Sequence, residues 1–352
     1  MRRRSADARL NLSSNELVHP DVAAILRSVP AALTPDLLYR YPVTAQTVTA
    51  LAQYFRSYPD QIVVTPGSDS ALRLICNYHR NQTNGEGTVL LQNPNYAAWE
   101  ETARLLRLRL RRINSDSTDG AAQTRRLLRA ARSVSKALIA VSVPNGPIGG
   151  CLPQVVLDEL AEISHERGHL LVIDSCYQAF HGPLTARVAR SGGPVVVVQS
   201  LSKSHGLAGA RVAVMCGEPT LIARLAAGPL EHSVSGPSLL AARVAIDHHS
   251  EFQGIWSEIS QVRDKTADLL RACGYRPLPS GGNFITVRLG TAAAAAAITA
   301  RVSAAGYRIR DLSGLPGFSG CVRFTVADTA TTGLFVQHLL AGLSAASFCE
   351  AS

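Results

Sequence analysis

Val195-Val-Val-Val-Gln199-Ser200-Leu-Ser202-Lys203-Ser-His-Gly-Leu-Ala-Gly-Ala-Arg211 is the stretch on which the fold of this chain turns. Four consecutive valines read as a strand buried on both faces, because a strand with one wet face would alternate. Two serines, a lysine and an arginine follow at once. Sheets covered on both faces place their ligands beyond the carboxyl ends of the strands. Lys203 is therefore expected in a crevice, with hydroxyls and a guanidinium beside it.

The pattern repeats outward from there. Gln61-Ile-Val-Val64, Thr88-Val-Leu-Leu91, Ala137 to Val143, His169-Leu-Leu-Val-Ile-Asp174 and Ala210 to Met215 are short apolar runs. Helical patterns separate several of them, at Ala71–Tyr78, Tyr96–Leu106 and Val155–Arg167. Such alternation predicts an α/β fold with a mostly parallel, seven-stranded type of sheet covered by helices. After about residue 235 the texture changes. A long helical stretch, Leu239 to Leu270, precedes short strands at Phe284–Arg288, Tyr307–Arg310 and Val322–Val326, with an alanine-rich helix at Thr291–Ala304. The expected division is a large domain at 36–237, and a smaller α+β domain made of 1–35 and 238–352.

Composition narrows the function classes. The 352 residues are 46% hydrophobic and 17% charged, which excludes a disordered chain. No run is apolar enough to span a membrane, and Met1 to Asp7 lacks the apolar stretch of a signal peptide. Seven scattered cysteines fit reduced thiols in the cytoplasm. The net charge of +9 accompanies no recognisable nucleic-acid module, and its arginines read as exposed helix and edge-strand positions. Of 35 basic residues only Lys136, Lys203 and Lys265 are lysine. Lysine alone can lose its proton and attack a carbonyl.

Three motifs carry that chemistry further. Lys203 with Ser200, Ser202 and Arg211 suits capture of a phosphorylated aldehyde cofactor. Asp174 ends an apolar strand and needs a cationic partner, such as a protonated pyridine nitrogen; Tyr177 follows as a donor. Thr65-Pro-Gly67-Ser68-Asp69-Ser70 opens a helix with small polar residues, an anion-binding arrangement. His165-Glu-Arg-Gly-His169 matches a zinc-protease spacing, but Gly168 reads as a helix end and His169 as the start of a strand. No metal site is expected.

These motifs, in this order, resemble the fold-type I pyridoxal-phosphate enzymes, nearest to the histidinol-phosphate aminotransferase group of class I/II aminotransferases. The resemblance runs from about residue 10 to 345. It adds Leu10-Asn-Leu-Ser-Ser-Asn15-Glu16 as a substrate-side segment, Tyr39-Arg-Tyr41-Pro42 and Asn93-Pro-Asn-Tyr96. It implies pyridoxal 5'-phosphate as cofactor, Lys203 as its Schiff-base lysine, Asp174 as partner of the pyridine nitrogen, and Tyr177 as donor to the phenolic oxygen. It implies Gly67, Ser68, Asp69, Ser200, Ser202 and Arg211 around the phosphate, and Tyr96 stacked on the ring. Tyr41 would reach the neighbouring subunit's cofactor in a homodimer. Arg323, more weakly Arg310, and Asn15 would face the substrate. Where the family has an asparagine bonding the phenolic oxygen, this chain has Gly146, with Asn145 one place early. One donor fewer implies that the cofactor linkage loses its proton at higher pH.

The implied reaction moves an amino group between an amino acid or amino phosphate and a 2-oxo acid. The altered amino-terminal segment, Asn15-Glu16-Leu17-Val18-His19-Pro20, would suit a specialised biosynthetic pathway. A decarboxylase, lyase or oxidase using the same cofactor, as in threonine-phosphate decarboxylases, shares most of these motifs. A non-catalytic cofactor-binding regulator is the alternative of another class; such regulators carry an added DNA-binding domain, for which this chain has no room.

Overall fold

The computed structural model describes residues 9–114, 120–182, 193–227 and 232–349. The basic stretch from Met1 to Asp7 lies outside them. Thirteen strands occur among the described residues: β1 (Leu10–Asn11), β2 (Ile62–Thr65), β3 (Thr88–Asn93), β4 (Arg109–Asn114), β5 (Leu138–Ser142), β6 (Leu170–Asp174), β7 (Val195–Ser200), β8 (Ala213–Gly217), β9 (Arg276–Pro277), β10 (Phe284–Arg288), β11 (Tyr307–Arg308), β12 (Arg310–Asp311) and β13 (Cys321–Thr325).

Seven of them form the main sheet in the order β2-β8-β7-β6-β5-β3-β4. All pairings are parallel except those of β8, which runs against both β2 and β7. The central strands β5 and β6 are buried along their whole length. Their side chains divide between two apolar layers. Ile139, Val141 and Ile173 pack with Leu157 and Leu160 of the helix Gln154–Arg167. Leu138, Ala140 and Val172 pack with Leu72, Ile75 and Trp99 on the other face. This is why the strands read as unbroken apolar runs.

A second, antiparallel sheet follows the order β12-β13-β10-β9. A single apolar cluster joins its residues Ile285 and Phe324 to Val64 and Val214 of the main sheet, together with Leu12, Leu201 and Phe252. β1 pairs with β11, which brings the amino-terminal segment to this side of the molecule.

Three expectations shift in detail. The run at Ala210–Met215 becomes a strand only from Ala213, because Ala210 and Arg211 close a turn onto the Leu207 carbonyl and Arg211 takes a left-handed φ of 54°. The long stretch from Leu239 is two helices, Gly236–Asp247 and His249–Ala272, parted at His248. Tyr307–Arg310 divides between β11 and β12, with buried Ile309 between them.

Ile139 is fully buried in mid-sheet between β3 and β6. Ile139→Ala should cost about 2–5 kcal/mol by lost burial and the cavity left. Urea unfolding of both chains measures it; a loss below about 1 kcal/mol would contradict this packing.

Candidate active site

The carboxyl ends of the parallel strands open into one cavity of about 950 Å³. Ser142 ends β5, Asp174 ends β6 and Ser200 ends β7, and all three line it. The segment from Ser13 to Leu17 and the residues Arg310 and Arg323 face it from the other side.

Lys203 sits in the short helix Leu201–Ser204, directly after β7. Its Nζ donates to the Ser14 carbonyl at 2.7 Å. Burial pulls its pKa below the ordinary lysine value. Cys176 and Glu16 oppose that shift, while Arg323 and Arg211 add to it. A larger share of Lys203 is therefore neutral, and nucleophilic, than in an exposed lysine.

Asp174 is 6% exposed and accepts a hydrogen bond from the Cys176 backbone N–H at 3.3 Å. Burial raises its pKa, bonds from Cys176 hold the rise back, and Asp69 adds to it. No cation is paired with it among the described residues. Tyr177 stands next to it, its ring edge-on to Phe284, its Oη accepting from Asn15 Nδ2 at 2.9 Å. A Cβ placed on Gly146 would come within 2.9 Å of Tyr177 Cε2, so the tyrosine ring fills the room that a side chain at 146 needs.

The anion-binding end is built on the helix Ser68–Gln82, whose N-cap Gly67 has a φ of +81°. The left-handed φ favours glycine, and a Cβ there would also lie 2.4 Å from the Arg211 guanidinium, which would have to shift. Asp69 holds this end together. One carboxylate oxygen accepts from Tyr96 Oη and the other from Arg211 Nη2, both at 2.9 Å. Ser202 Oγ is buried and has no hydrogen-bond partner among the described residues. The Arg323 Nη2 donates to the Ser13 carbonyl at 2.7 Å and its guanidinium lies over Phe284, while its Nε is buried without a partner.

Most residues singled out from the sequence thus converge: Ser68, Asp69, Tyr96, Asp174, Tyr177, Ser200, Ser202, Lys203, Arg211, Arg310 and Arg323 all line the cavity. Three do not. Asn145 is fully buried and is spent on its own turn, donating to the Pro94 carbonyl at 3.0 Å and accepting from the Ile148 N–H. Asn15 is 1% exposed and turns its amide to Tyr177. Tyr41 is 81% exposed and stacks on His232, away from this cavity.

Other positions differ from expectation or went unread. Cys176 is in the cavity wall. Asn95, within the quoted Asn93–Tyr96 motif, lines the cavity with a buried, unpartnered Nδ2. His205, two residues after Lys203, went unread. It is fully buried among Tyr54, Phe252 and Trp256, and burial pushes its pKa down to about 3. Gly168 ends its helix in the left-handed region, and His169 is held by the Ala137 N–H and the Ala131 carbonyl. This geometry takes both histidines of the zinc-like spacing off a common helix face.

A carboxyl whose folded pKa is raised destabilises the fold as pH climbs through the window above the ordinary carboxylate value. Without a bound cation, Asp174→Asn should therefore stabilise the chain at neutral pH, by about 1–3 kcal/mol. The gain should shrink as pH falls. Melting curves at pH 7.5 and pH 4.5 check this; a variant less stable at both would contradict it.

The family model for aminotransferase class I and II matches residues 8–339. The histidinol-phosphate aminotransferase of Sulfurisphaera tokodaii is 28% identical over 283 residues, covering 80% of this chain and 77% of that protein. A solved structure, histidinol-phosphate aminotransferase from Sinorhizobium meliloti in complex with pyridoxal-5'-phosphate, has a TM-score of 0.80 at 23% identity, over 96% of this chain and 91% of that one. L-threonine-O-3-phosphate decarboxylase from Porphyromonas gingivalis gives 0.76 at 22%, over 95% and 99%. At those identities the two structures establish the fold. The family match extends over nearly the whole chain, and the protein belongs to the aminotransferase class I and II family.

Proposed function

We propose that this chain is a pyridoxal-phosphate-dependent aminotransferase, working as a homodimer on an amino acid or amino phosphate and a 2-oxo acid, in a cytoplasmic biosynthetic pathway. The observation that carries the proposal is the meeting of Lys203, Asp174 and Tyr177 in one cavity at the carboxyl ends of the main sheet.

The residues fit the cofactor. Buried Asp174 lacks a cation and a pyridinium nitrogen is one. Ser202 Oγ lacks a partner and a phosphate oxygen is one. Gly67 keeps backbone N–H groups approachable at the start of a 15-residue helix. When bound, pyridoxal phosphate supplies an aldehyde for a lysine to capture and a ring that withdraws electrons from the substrate's alpha carbon.

The chain's own residues do the rest. Ser68, Ser200, Ser202 and Arg211 hold the phosphate, with Asp69 fixing Arg211. Tyr96, in the cavity wall, would stack on the ring. Asp174 keeps the ring nitrogen protonated, and Tyr177 donates to the phenolic oxygen. The Lys203 amine, when free, would serve as the base that accepts the proton from the substrate's alpha carbon. Arg323 and Arg310 bind the acidic group of the substrate. Tyr41, with exposed Leu38, Tyr39 and Val43 around it, belongs to the contact with a second copy, where its hydroxyl serves the neighbour's site. Asn145 has no place in this set, and Asn15 turns its amide to Tyr177.

We divide the chain, on this reading, into the large domain at 36–237 that holds the cofactor and a smaller, substrate-side one at 1–35 and 238–352.

Purified protein with pyridoxal phosphate should show a yellow absorbance band that survives desalting, and Lys203→Ala should not. A productive amino donor should bleach the band, and a 2-oxo acid should restore it. Carbon dioxide release without a 2-oxo product would favour the decarboxylase chemistry. No band in the native chain would overturn the proposal.

A further inference from the structure

Three consecutive residues of the amino-terminal segment touch three different side chains of the cavity. The Ser13 carbonyl accepts from Arg323, the Ser14 carbonyl from Lys203, and Asn15 Nδ2 donates to Tyr177 Oη. The first two contacts are made by backbone. The third is made by a side chain, and a substitution can remove it.

Asn15 is firmly placed. Its N–H donates to Thr325 Oγ1 at 3.0 Å, and its carbonyl accepts from Asn283 Nδ2 at 3.2 Å. Its backbone is left-handed, φ 53°. Thr325 ends β13 and Asn283 precedes β10, so the second sheet holds this residue against Tyr177.

A phenol has one hydrogen to donate and two lone pairs. Asn15 Nδ2 is a donor, so it takes up a lone pair of Tyr177 Oη and leaves the hydrogen for another acceptor. Phe284 covers the tyrosine ring with its edge, and Gly146 presents no side chain. The cavity is what remains for the hydrogen to point into. The charged and titratable groups facing Tyr177 are Arg323, Cys176 and Asp174.

We propose that Asn15 is a positioning residue: it directs the Tyr177 hydroxyl hydrogen onto the cofactor's phenolic oxygen, taking over work that an asparagine at position 146 would do. The proposal rests on the cofactor reading above. A hydrogen bond to that oxygen draws charge away from the neighbouring nitrogen, which then loses its proton at lower pH. Polarised by Asn15, Tyr177 becomes the stronger donor.

The test is the pH midpoint of the bound cofactor's visible absorbance, in the holoenzyme. Asn15→Gly suits the left-handed backbone and removes the donor without adding charge. It should raise the midpoint by about half a pH unit or more. In a Tyr177→Phe background, where the midpoint is already raised, Asn15→Gly should add nothing, because Asn15 acts through the hydroxyl. Should Asn15→Gly be recovered unfolded, Asn15→Asp keeps shape and backbone preference without the donor, and should raise the midpoint at least as far. A midpoint unmoved by the substitution, or moved equally in both backgrounds, overturns the proposal and leaves the cofactor reading standing. A native chain with no cofactor band overturns both.

Discussion

The structure depends on one constraint: an amine must be kept in a cavity dry enough to depress its charge, yet open to substrate. Lys203 meets it by where it stands. It follows a strand buried on both faces, so its backbone is fixed by the sheet, and its ammonium is met on the far side by the Ser14 carbonyl. A carbonyl satisfies one N–H without contributing a full charge, so the bond holds the amine without pinning it as an ion pair would. The amino-terminal segment that supplies the carbonyl is itself tied down, through β1 on β11 and through Asn15 on Thr325 and Asn283.

Charge in the cavity is arranged by separation. Asp69 is matched by Arg211 at the anion-binding end, and Tyr96 shares the same carboxylate. Asp174, deeper in, is unmatched. Among the described residues, Arg323 is matched by a carbonyl and an aromatic face. A fold built for stability alone would not bury an acid and a guanidinium without counter-ions. Unpaired groups of opposite sign at the two sides of one cavity are instead what a zwitterionic cofactor–substrate pair requires.

Much of this was legible in the sequence, and for a physical reason. A strand covered on both faces has to be apolar throughout, so β5, β6 and β7 announce themselves, and the polar residue ending each is at the cavity by construction. Lys203, Asp174 and Ser200 fall in that class. Side-chain direction inside a turn is not fixed by any such periodicity. Asn145 lies beside the cavity in sequence, yet its amide is consumed by the Pro94 carbonyl and the Ile148 N–H. Asn15 looked like a substrate contact because its segment resembles the family's substrate-side segment; only long-range packing from β13 shows that its side chain turns to Tyr177. His205 follows Lys203 by two residues, and the aromatic cluster that buries it comes from residues 54, 252 and 256, which no local pattern connects. The antiparallel direction of β8 was equally hidden, since strand polarity depends on the length and path of the connection rather than on the strand.

The account stands most directly on Lys203 as the lysine that carries the cofactor. Protein equilibrated with one equivalent of pyridoxal phosphate, reduced with borohydride to fix the linkage, digested and weighed by mass spectrometry, locates it. The account predicts the added mass on the peptide containing Lys203, with Lys136 and Lys265 unmodified. The mass on either of those two lysines with Lys203 bare would contradict it.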